Sequence, residues 1–315
     1  MKAIRKTKPP ELKRSGITRK YMRNNMPYYI MAAIGLIFII TFRFIPLYGM
    51  QIAFKDYNMG LGITGSKWVG LKWFKVLFES PDFMRIFRNT IMINLLDIIF
   101  VFFGSIIFAI LISEIQNPLY KKTVQTISYL PHFLSWVVVG GLIIRILSPS
   151  GFIIRTISDL FGIEPFNLLL DENKFYGIVT AGEMWKSCGW NTILYLAAIA
   201  GISPELYEAA RVDGAGKLNQ IIHITLPGLK FIIVTMLLMR IGSLLGVGFE
   251  KVFVLQNEMI LNRAEVFSTY NYRVGIGQWN MSLSTALSFF ESIVNFAMVF
   301  TFDRIAKMMG EDGLL

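Results

Sequence analysis

The hydrophobic residues of this chain are gathered into six long runs separated by polar segments. Each run has about 20 residues or more, the length that an α-helix needs to cross roughly 30 Å of hydrocarbon. A lipid-exposed strand edge would leave backbone groups without partners, so every run is expected to be helical. The sequence therefore predicts an all-α integral membrane protein with six transmembrane helices. The predicted spans are residues 28–50, 87–114, 124–148, 175–200, 229–256 and 282–303.

Charged residues in the loops indicate the orientation of these spans. Lys121 and Lys122 lie between the second and third spans, whereas the segment between the third and fourth is acid-rich. Cytoplasmic loops carry an excess of Lys and Arg, so both termini are predicted to be cytoplasmic. The chain then divides into a basic cytoplasmic tail (1–27), a transmembrane domain (28–303) and a cytoplasmic C-terminus (304–315). The acids are Asp159, Glu164, Asp171 and Glu172.

The long segment 51–86 is external in this topology and is rich in aromatic residues. Two interpretations stay open for it: a helix lying in the outer membrane interface, or an ordinary loop with aromatic anchors. The residues concerned are Trp68, Trp73, Phe74, Leu77, Phe78 and Phe83.

Composition agrees with a membrane protein and narrows the alternatives. Of the 315 residues, 54% are hydrophobic and only 17% are charged, whereas soluble domains carry about 25% charged residues. The net charge of +10 comes mainly from the N-terminal tail, where nine cations face the single acid Glu11. A basic tail beside a hydrophobic span is typical of a topology signal and a lipid-headgroup contact, not of nucleic-acid binding. The cations are Lys2, Arg5, Lys6, Lys8, Lys13, Arg14, Arg19, Lys20 and Arg23.

Metal and disulfide chemistry is not expected. Cys188 is the only cysteine, so the chain cannot form an internal disulfide or a multi-cysteine metal site. The two histidines, His132 and His223, do not make a zinc centre by themselves. The basic N-terminal region is too long for a cleavable signal peptide.

The loop between the fourth and fifth predicted spans, about 201–228, has a pattern of its own. Ser203-Pro204-Glu205 is a helix start signal, with an N-cap, a proline at the first helical position and an acid in the first turn. The sequence predicts a short helix from Pro204 to Asp213. Gly214 can adopt the left-handed conformation that ends a helix. The spacing is Glu208-Ala209-Ala210, three residues, Gly214, nine residues, then Ile224, Thr225, Leu226 and Pro227.

This spacing resembles the cytoplasmic loop of permease subunits of binding-protein-dependent ABC importers, and every position of the pattern is filled. Further similarity covers nearly the whole chain. Val69-Gly70-Leu71, Phe74, Phe78 and Asn89-Thr90 resemble the maltose-type sugar permeases. Leu196-Ala197-Ala198 through Ala215 resembles the subgroup for oligosaccharides and polysaccharide fragments, the LplB-like permeases.

The resemblance implies a type I importer permease in the cell membrane that is not itself an enzyme. It implies that the loop is a coupling helix docking into a separate ATPase. The implied partners are a second homologous permease, two ATP-binding subunits and an external or periplasmic solute-binding protein. No phosphate-binding G-x-x-x-x-G-K-[ST] motif is found in the sequence, so ATP and magnesium are expected on the partner ATPase, with no cofactor in this chain. The implied coupling residues are Glu208, Ala209, Ala210, Asp213, Gly214, Ile224, Leu226 and Pro227.

Ionisable residues inside the spans are candidates for the solute path or for helix locking. Asp97, Arg240 and Glu291 fall at similar predicted depths in spans two, five and six, and an intramembrane ion-pair cluster is one interpretation. A purely structural pair is the other. Gly242 and Gly246 form a G-x-x-x-G on predicted span five, which would permit close helix packing.

The fourth span offers the best solute-facing surface. Glu183, Ser187, Trp190 and Asn191 follow helical spacing. An aromatic plane beside hydroxyl, amide and carboxylate groups suits a sugar, which has apolar ring faces and a rim of hydroxyls. The alternative is that the tryptophans serve packing or interface anchoring.

The predicted function is a permease that moves a sugar, and more specifically an oligosaccharide, by alternating access driven by a separate ATPase. An ion-coupled secondary transporter is the alternative, since buried charges would suit it. A membrane enzyme would need a catalytic constellation, and neither histidine, both predicted on the cytoplasmic side, has a clear set of partners.

Overall fold

The structure is a computed structural model that describes residues 19–308, and these are mostly helical. Two compact units are present, one ending at Gln51 and the other beginning at Ile52. Most of the predicted basic tail and the last residues of the predicted C-terminus lie outside the described residues. In chain order the helices are α1 (Arg19–Asn24), α2 (Met26–Ile39), α3 (Gly62–Gly65), α4 (Lys72–Glu79), α5 (Pro81–Leu96), α6 (Phe103–Ser113), α7 (Pro118–Tyr129), α8 (Trp136–Leu147), α9 (Phe152–Phe161), α10 (Phe175–Ala200), α11 (Pro204–Val212), α12 (Lys217–Gln220), α13 (Leu226–Ile241), α14 (Phe249–Phe253), α15 (Leu261–Ala264), α16 (Phe267–Tyr272) and α17 (Met281–Met308).

Shorter elements join or extend these helices. Strands β1 (Lys55–Asp56) and β2 (Lys67–Trp68) form a small antiparallel hairpin. Wider π-helical turns occur at Ile40–Phe44, Asp97–Phe102, Ile221–Thr225 and Arg273–Gly277, and tighter 3₁₀ turns at Ile45–Phe54, Leu130–Phe133, Leu168–Leu170, Glu172–Lys174 and Glu258–Ile260.

Five helical stretches of the described chain are long and apolar enough to cross a membrane. The fourth predicted span coincides with α10, which has 26 residues but is less apolar, because Glu183 and Lys186 interrupt it. The five stretches are Met26–Phe54, Pro81–Ser113, Trp136–Phe161, Lys217–Ile241 and Met281–Met308.

The predicted third span, 124–148, is not one continuous helix. α7 ends at Tyr129, a 3₁₀ turn containing Pro131 follows, and a new helix begins at Trp136. Proline cannot donate a backbone hydrogen bond and disfavours helical geometry in the residue before it, which favours a break here. The Ser135 hydroxyl then caps the new helix by accepting a hydrogen bond from the Val138 amide.

The predicted fifth span, 229–256, is wrong at both ends. The helical stretch already begins at Lys217 and it ends at Ile241. Gly242 and Gly246 therefore lie in the turn after α13, so they do not form a helical G-x-x-x-G motif. Gly242 nevertheless permits close packing, because an added β-carbon would lie 2.5 Å from Cγ2 of Val299 on α17.

Segment 51–86, which was predicted to be external, contains a helix, α4 (Lys72–Glu79), in agreement with the first of the two interpretations as far as its secondary structure. Leu77 is its fully buried residue, and Phe74 and Phe78 lie in edge-to-face contact with Phe289 and Phe290 of α17. The Ser80 hydroxyl then accepts a hydrogen bond from the Asp82 amide and caps α5. The aromatic residues of this segment therefore pack the hairpin and α4 against α17.

Helix α10 is the centre of the second unit. It contacts α5, α6, α7, α8 and α13. Gly189 allows the closest approach, because an added β-carbon would collide with the backbone carbonyl of Ser128 on α7. Tyr195 of α10 is buried against Phe102 and Leu229. This packing brings the polar face of α10 close to α13 and to the π-turn at Asp97–Phe102.

Candidate functional sites

The first candidate site is α11, the helix predicted to couple to an ATPase. Gly214 adopts a left-handed conformation with φ of +80°. The Ala215 amide donates to the Ala210 carbonyl (2.8 Å), and the Gly214 amide donates to the Arg211 carbonyl (3.1 Å). These two bonds are the Schellman pair, which satisfies carbonyls at the helix end. The prediction that Gly214 ends this helix is confirmed.

The start of α11 differs in detail from the prediction. Pro204 is the first helical residue, but the Ser203 side chain makes no capping hydrogen bond. The helix ends at Val212, with Asp213 as its C-cap.

The surface of α11 exposes apolar side chains. Val212 is 88% exposed and Leu206 is 53% exposed, although both are apolar. Glu208 and Ala209 are also exposed, whereas Ala210 is half-buried. The exposed alanine leaves a small surface that a partner backbone can approach closely.

Direct contacts tie α11 to the long helix that follows it. The Tyr207 hydroxyl hydrogen-bonds with the buried Thr225 hydroxyl at 3.0 Å. An added β-carbon on Gly228 would lie 2.5 Å from Cδ1 of Ile202, so the loop before α11 packs closely on α13. These contacts therefore join α11 and the loop before it to the helical stretch Lys217–Ile241.

Pro227 lies inside that helical stretch, although the predicted fifth span began only at residue 229. Proline lacks the amide that an α-helix needs, and the π-turn Ile221–Thr225 immediately before Leu226 and Pro227 accommodates the irregularity. Ile224 is half-buried within this turn. Lys217, at the start of the stretch, forms an ion pair with Glu114 after α6.

The second candidate site is a cavity of about 600 Å³ between α6, α10 and α13. It brings together all four residues predicted to form the solute face of α10, and it adds Arg240. Hydroxyl, amide, carboxylate, guanidinium and aromatic groups therefore face one space. The lining residues are Val101, Phe102, Ser105, Glu183, Ser187, Trp190, Asn191, Ile193, Leu194, Tyr195, Met236, Met239, Arg240 and Ser243.

Four charged side chains form a cluster at one wall of this cavity. Asp97 is fully buried, and its Oδ2 lies 2.5 Å from Lys251 Nζ and 3.2 Å from Arg240 Nη2. Lys251 Nζ also lies 3.4 Å from Glu183 Oε2. The Ser187 hydroxyl donates to Glu183 Oε1 at 2.7 Å. Two cations thus balance two carboxylates in a buried region.

The predicted pairing of Asp97 with Arg240 is present, but Glu291 is not part of this cluster. Glu291 lines a separate small pocket with Tyr272 and Ser284. Lys251, which the sequence analysis missed, takes the third place. It lay within the predicted span 229–256, but its place beside Asp97 depends on the turn between the end of α13 at Ile241 and the start of α14 at Phe249, which the sequence did not predict.

Trp190 is held by His132, which belongs to the break between α7 and α8. Their rings stack in parallel with centroids 4.5 Å apart. The Lys186 ammonium donates to the backbone carbonyls of His132 and Leu134, both at 2.7 Å. The helix break therefore supplies carbonyl acceptors for a buried cation and fixes the aromatic wall of the cavity. His132 packs against α10, and its ring serves this stacking.

A further ionic cluster, also missed from sequence, surrounds the buried carboxylate of Glu265. Arg85 Nη2 lies 2.7 Å from Glu265 Oε2, and Arg273 Nε lies 2.6 Å from Oε1. Hydrogen bonding to Glu265 raises the pKa of Arg273 above its usual value. Asp82 contacts both arginines. The cluster locks the start of α5 to the segment before α17.

Comparisons with known proteins show a matching family and similar proteins of known names. Residues 101–309 match the family described as "Binding-protein-dependent transport system inner membrane component". The chain is similar to the polygalacturonan/rhamnogalacturonan transport system permease protein YteP of Bacillus subtilis (strain 168), with 42% identity over 298 residues, 95% of this chain and 91% of YteP. It is also similar to protein LplB of the same organism, with 40% identity over 287 residues, 91% of this chain and 90% of LplB.

Solved structures resemble the chain over nearly its whole length. One matching chain comes from the crystal structure of a bacterial alginate ABC transporter in complex with an alginate pentasaccharide-bound periplasmic protein. Its TM-score is 0.87 at 34% identity, over 95% of this chain and 100% of that chain. A second comes from a bacterial ABC transporter involved in the import of the acidic polysaccharide alginate, with a TM-score of 0.85 and 93% of this chain covered.

Proposed function

The chain belongs to the family of inner membrane components of binding-protein-dependent transport systems, and from that premise we propose that it conducts an oligosaccharide across the cell membrane. It is a multi-pass permease subunit of an ABC importer with the type I permease fold, not an enzyme and not an ion-coupled transporter. The cargo, the partners, the topology and the residue roles that follow are parts of the proposal.

The cavity beside α10 is the proposed solute path. Trp190 offers an aromatic plane for a sugar ring, and Asn191, Ser187 and Arg240 offer polar groups for its hydroxyls. YteP is named for polygalacturonan and rhamnogalacturonan, and the two solved transporters for alginate, so the names of similar proteins also favour a saccharide. The role of Asp97 is to hold Arg240 and Lys251 in place. Glu291, in its separate pocket, is assigned no contact with cargo.

A complete importer is proposed to contain four membrane-associated subunits and an external partner. This chain pairs with a second, related permease, and each permease docks on one of two ATP-binding subunits that hold ATP and magnesium. A solute-binding protein delivers the cargo from outside. The similarity to a transporter solved with its periplasmic protein supports that last partner. In this arrangement α10 joins the five apolar stretches as a sixth span, and both termini are cytoplasmic.

Coupling is proposed to pass through α11. ATP binding closes the two ATPase subunits and moves the docked helix. The bond between Tyr207 and Thr225 and the packing of Ile202 on Gly228 carry that movement into Lys217–Ile241. Since Met236, Met239 and Arg240 of this stretch line the cavity, its motion changes access to the cargo. The exposed apolar side chains of α11, led by Val212, are the observation that best supports docking.

The substitution Gly214→Asp tests this coupling role. An aspartate at a φ of +80° is strained, and its negative charge opposes the dipole at the helix C-terminus. We expect the ATPase subunit to be lost from the purified complex and ATP-dependent uptake to fall by roughly tenfold or more, because a cap distortion of about 1–2 kcal/mol acts directly on docking.

The matched control is Gly216→Asp, two residues further on. Gly216 has a φ of −69° and is the N-cap of α12, where aspartate is favoured. This variant adds the same charge without the strain and should retain the ATPase. Wild-type docking and uptake in Gly214→Asp would remove α11 from the coupling path.

A further inference from the structure

Two charged residues, Glu183 and Arg240, line the cavity, and they differ in how many of their hydrogen-bonding groups lack a partner within the described chain. Both carboxylate oxygens of Glu183 are engaged, one by the Ser187 hydroxyl at 2.7 Å and the other by Lys251 at 3.4 Å. The Arg240 guanidinium uses Nη2 for Asp97, and it has no other hydrogen bond within the described part of the chain. Its side chain is 37% exposed, toward the cavity. Four of the five N–H donors of a guanidinium therefore remain available.

The three serine hydroxyls of the cavity are already committed as donors. Ser105 donates to the Val101 carbonyl at 2.6 Å, and Ser243 donates to the Arg240 carbonyl at 3.1 Å. Ser187 donates to Glu183, as described above. The polar groups of the cavity thus include the serine lone pairs, the Tyr195 hydroxyl, the Asn191 amide and the Arg240 guanidinium, which is the only one with a positive charge.

Lys251 makes Arg240 free to bind something else. It is 5% exposed and lies closer to the same Asp97 oxygen than Arg240 does, at 2.5 Å against 3.2 Å. If Arg240 turned away from Asp97, that buried carboxylate would keep a cation beside it, so the move would not strand an unpaired buried charge. A lone Asp97–Arg240 pair would not allow this.

We propose that Arg240 binds a carboxylate of the cargo, and that the cargo is therefore an acidic saccharide containing uronic acid residues. The planar fork of a guanidinium matches a carboxylate with two parallel hydrogen bonds. Trp190, which lines the same cavity, supplies the plane for the sugar ring. This inference rests on the proposed function, because it assigns the chemistry of the cargo in the same cavity.

The test uses the complete importer in liposomes, with ATP enclosed and the fully loaded binding protein outside. Uptake is measured for wild type, Arg240→Gln and Arg240→Lys with two labelled cargoes. One is trigalacturonate, and the other is the neutral trisaccharide obtained by reducing its carboxyl groups. Arg145→Gln is the matched control, since it removes the same charge from α8 at a position that does not line the cavity. Thermal unfolding of each purified complex reports on structural damage.

We expect Arg240→Gln to slow trigalacturonate uptake roughly tenfold or more, the effect of losing a charge-assisted hydrogen bond. Arg240→Lys should restore part of the rate, and Arg145→Gln should leave it unchanged. Because Arg240 also faces the sugar hydroxyls, uptake of the neutral cargo by Arg240→Gln should fall as well, but severalfold less than uptake of trigalacturonate. Wild-type trigalacturonate uptake by Arg240→Gln, or a wild type that imports only the neutral saccharide, would overturn the inference and leave the proposed function standing. A wild type that imports neither saccharide would overturn the proposed function itself.

Discussion

At the residue scale, the buried cation Lys251 holds together the charged residues beside the cavity. It touches Asp97 and Glu183, which lie on different helices far apart in the sequence. Residue types and helical spacing were enough to predict that Glu183, Ser187, Trp190 and Asn191 share one face of α10. Of the predicted cluster of Asp97, Arg240 and Glu291, only the contact of Asp97 with Arg240 is present. The third partner was not predictable in the same way, because its position depends on where α13 ends and how the chain turns back to α14.

Replacing Lys251 with methionine should destabilise the protein strongly. The change leaves two buried carboxylates with only Arg240 nearby, and breaking a buried ion pair typically costs about 3–5 kcal/mol. We expect a large fall in the unfolding temperature of the purified complex, measured by thermal denaturation in detergent.

A second substitution should repair part of this loss. Glu183→Gln removes one of the stranded charges, so the double variant is expected to be more stable than Lys251→Met alone. Lys174→Met, at an exposed cation before α10, is the control and should change stability by less than about 0.5 kcal/mol. An unfolding temperature of Lys251→Met equal to that of the control would mean that the cluster does not stabilise the fold.

At the element scale, the sequence predicted that apolar runs form helices but misplaced where several begin and end. Hydropathy does not record that Pro131 and the Ser135 cap divide the third span, or that a π-turn lets the fifth span continue through Pro227. The signal for the end of α11 was more reliable than the signal for its start, where Ser203 makes no capping hydrogen bond. Gly214 ends α11 as predicted, because a left-handed residue is a local requirement that glycine alone meets without strain.

Two glycines of α10 give opposite predictions for the same substitution. Gly189→Ala should destabilise the protein by about 1–3 kcal/mol, because the new β-carbon would collide with the Ser128 backbone and push α7 away. Gly177 has open space around it, so Gly177→Ala should stabilise α10 by about 0.5–1 kcal/mol. The comparison is made by thermal unfolding of both variants. Equal effects would contradict close packing of α7 on α10.

At the scale of the whole molecule, the helical stretch Lys217–Ile241 connects α11 with the cavity. α11 is joined to Lys217–Ile241 by Tyr207 and Ile202, and the far end of that stretch carries Arg240 into the cavity wall. In the proposed function α11 is the docking helix, and the cavity is one half of a path that a second permease completes. The sequence motif predicted α11, whereas the position of Arg240 in the cavity wall became apparent only in the folded chain.

Uptake by the reconstituted complex tests the proposed transport cycle most directly. The complex is purified with its companion subunits, placed in liposomes with ATP inside, and supplied from outside with the loaded binding protein. The account predicts that oligosaccharide accumulates only when ATP and the binding protein are both present, and that collapsing proton and sodium gradients has no effect. Accumulation without ATP that stops when an ion gradient is collapsed would contradict it, and would make the buried charges around Asp97 the seat of ion coupling instead.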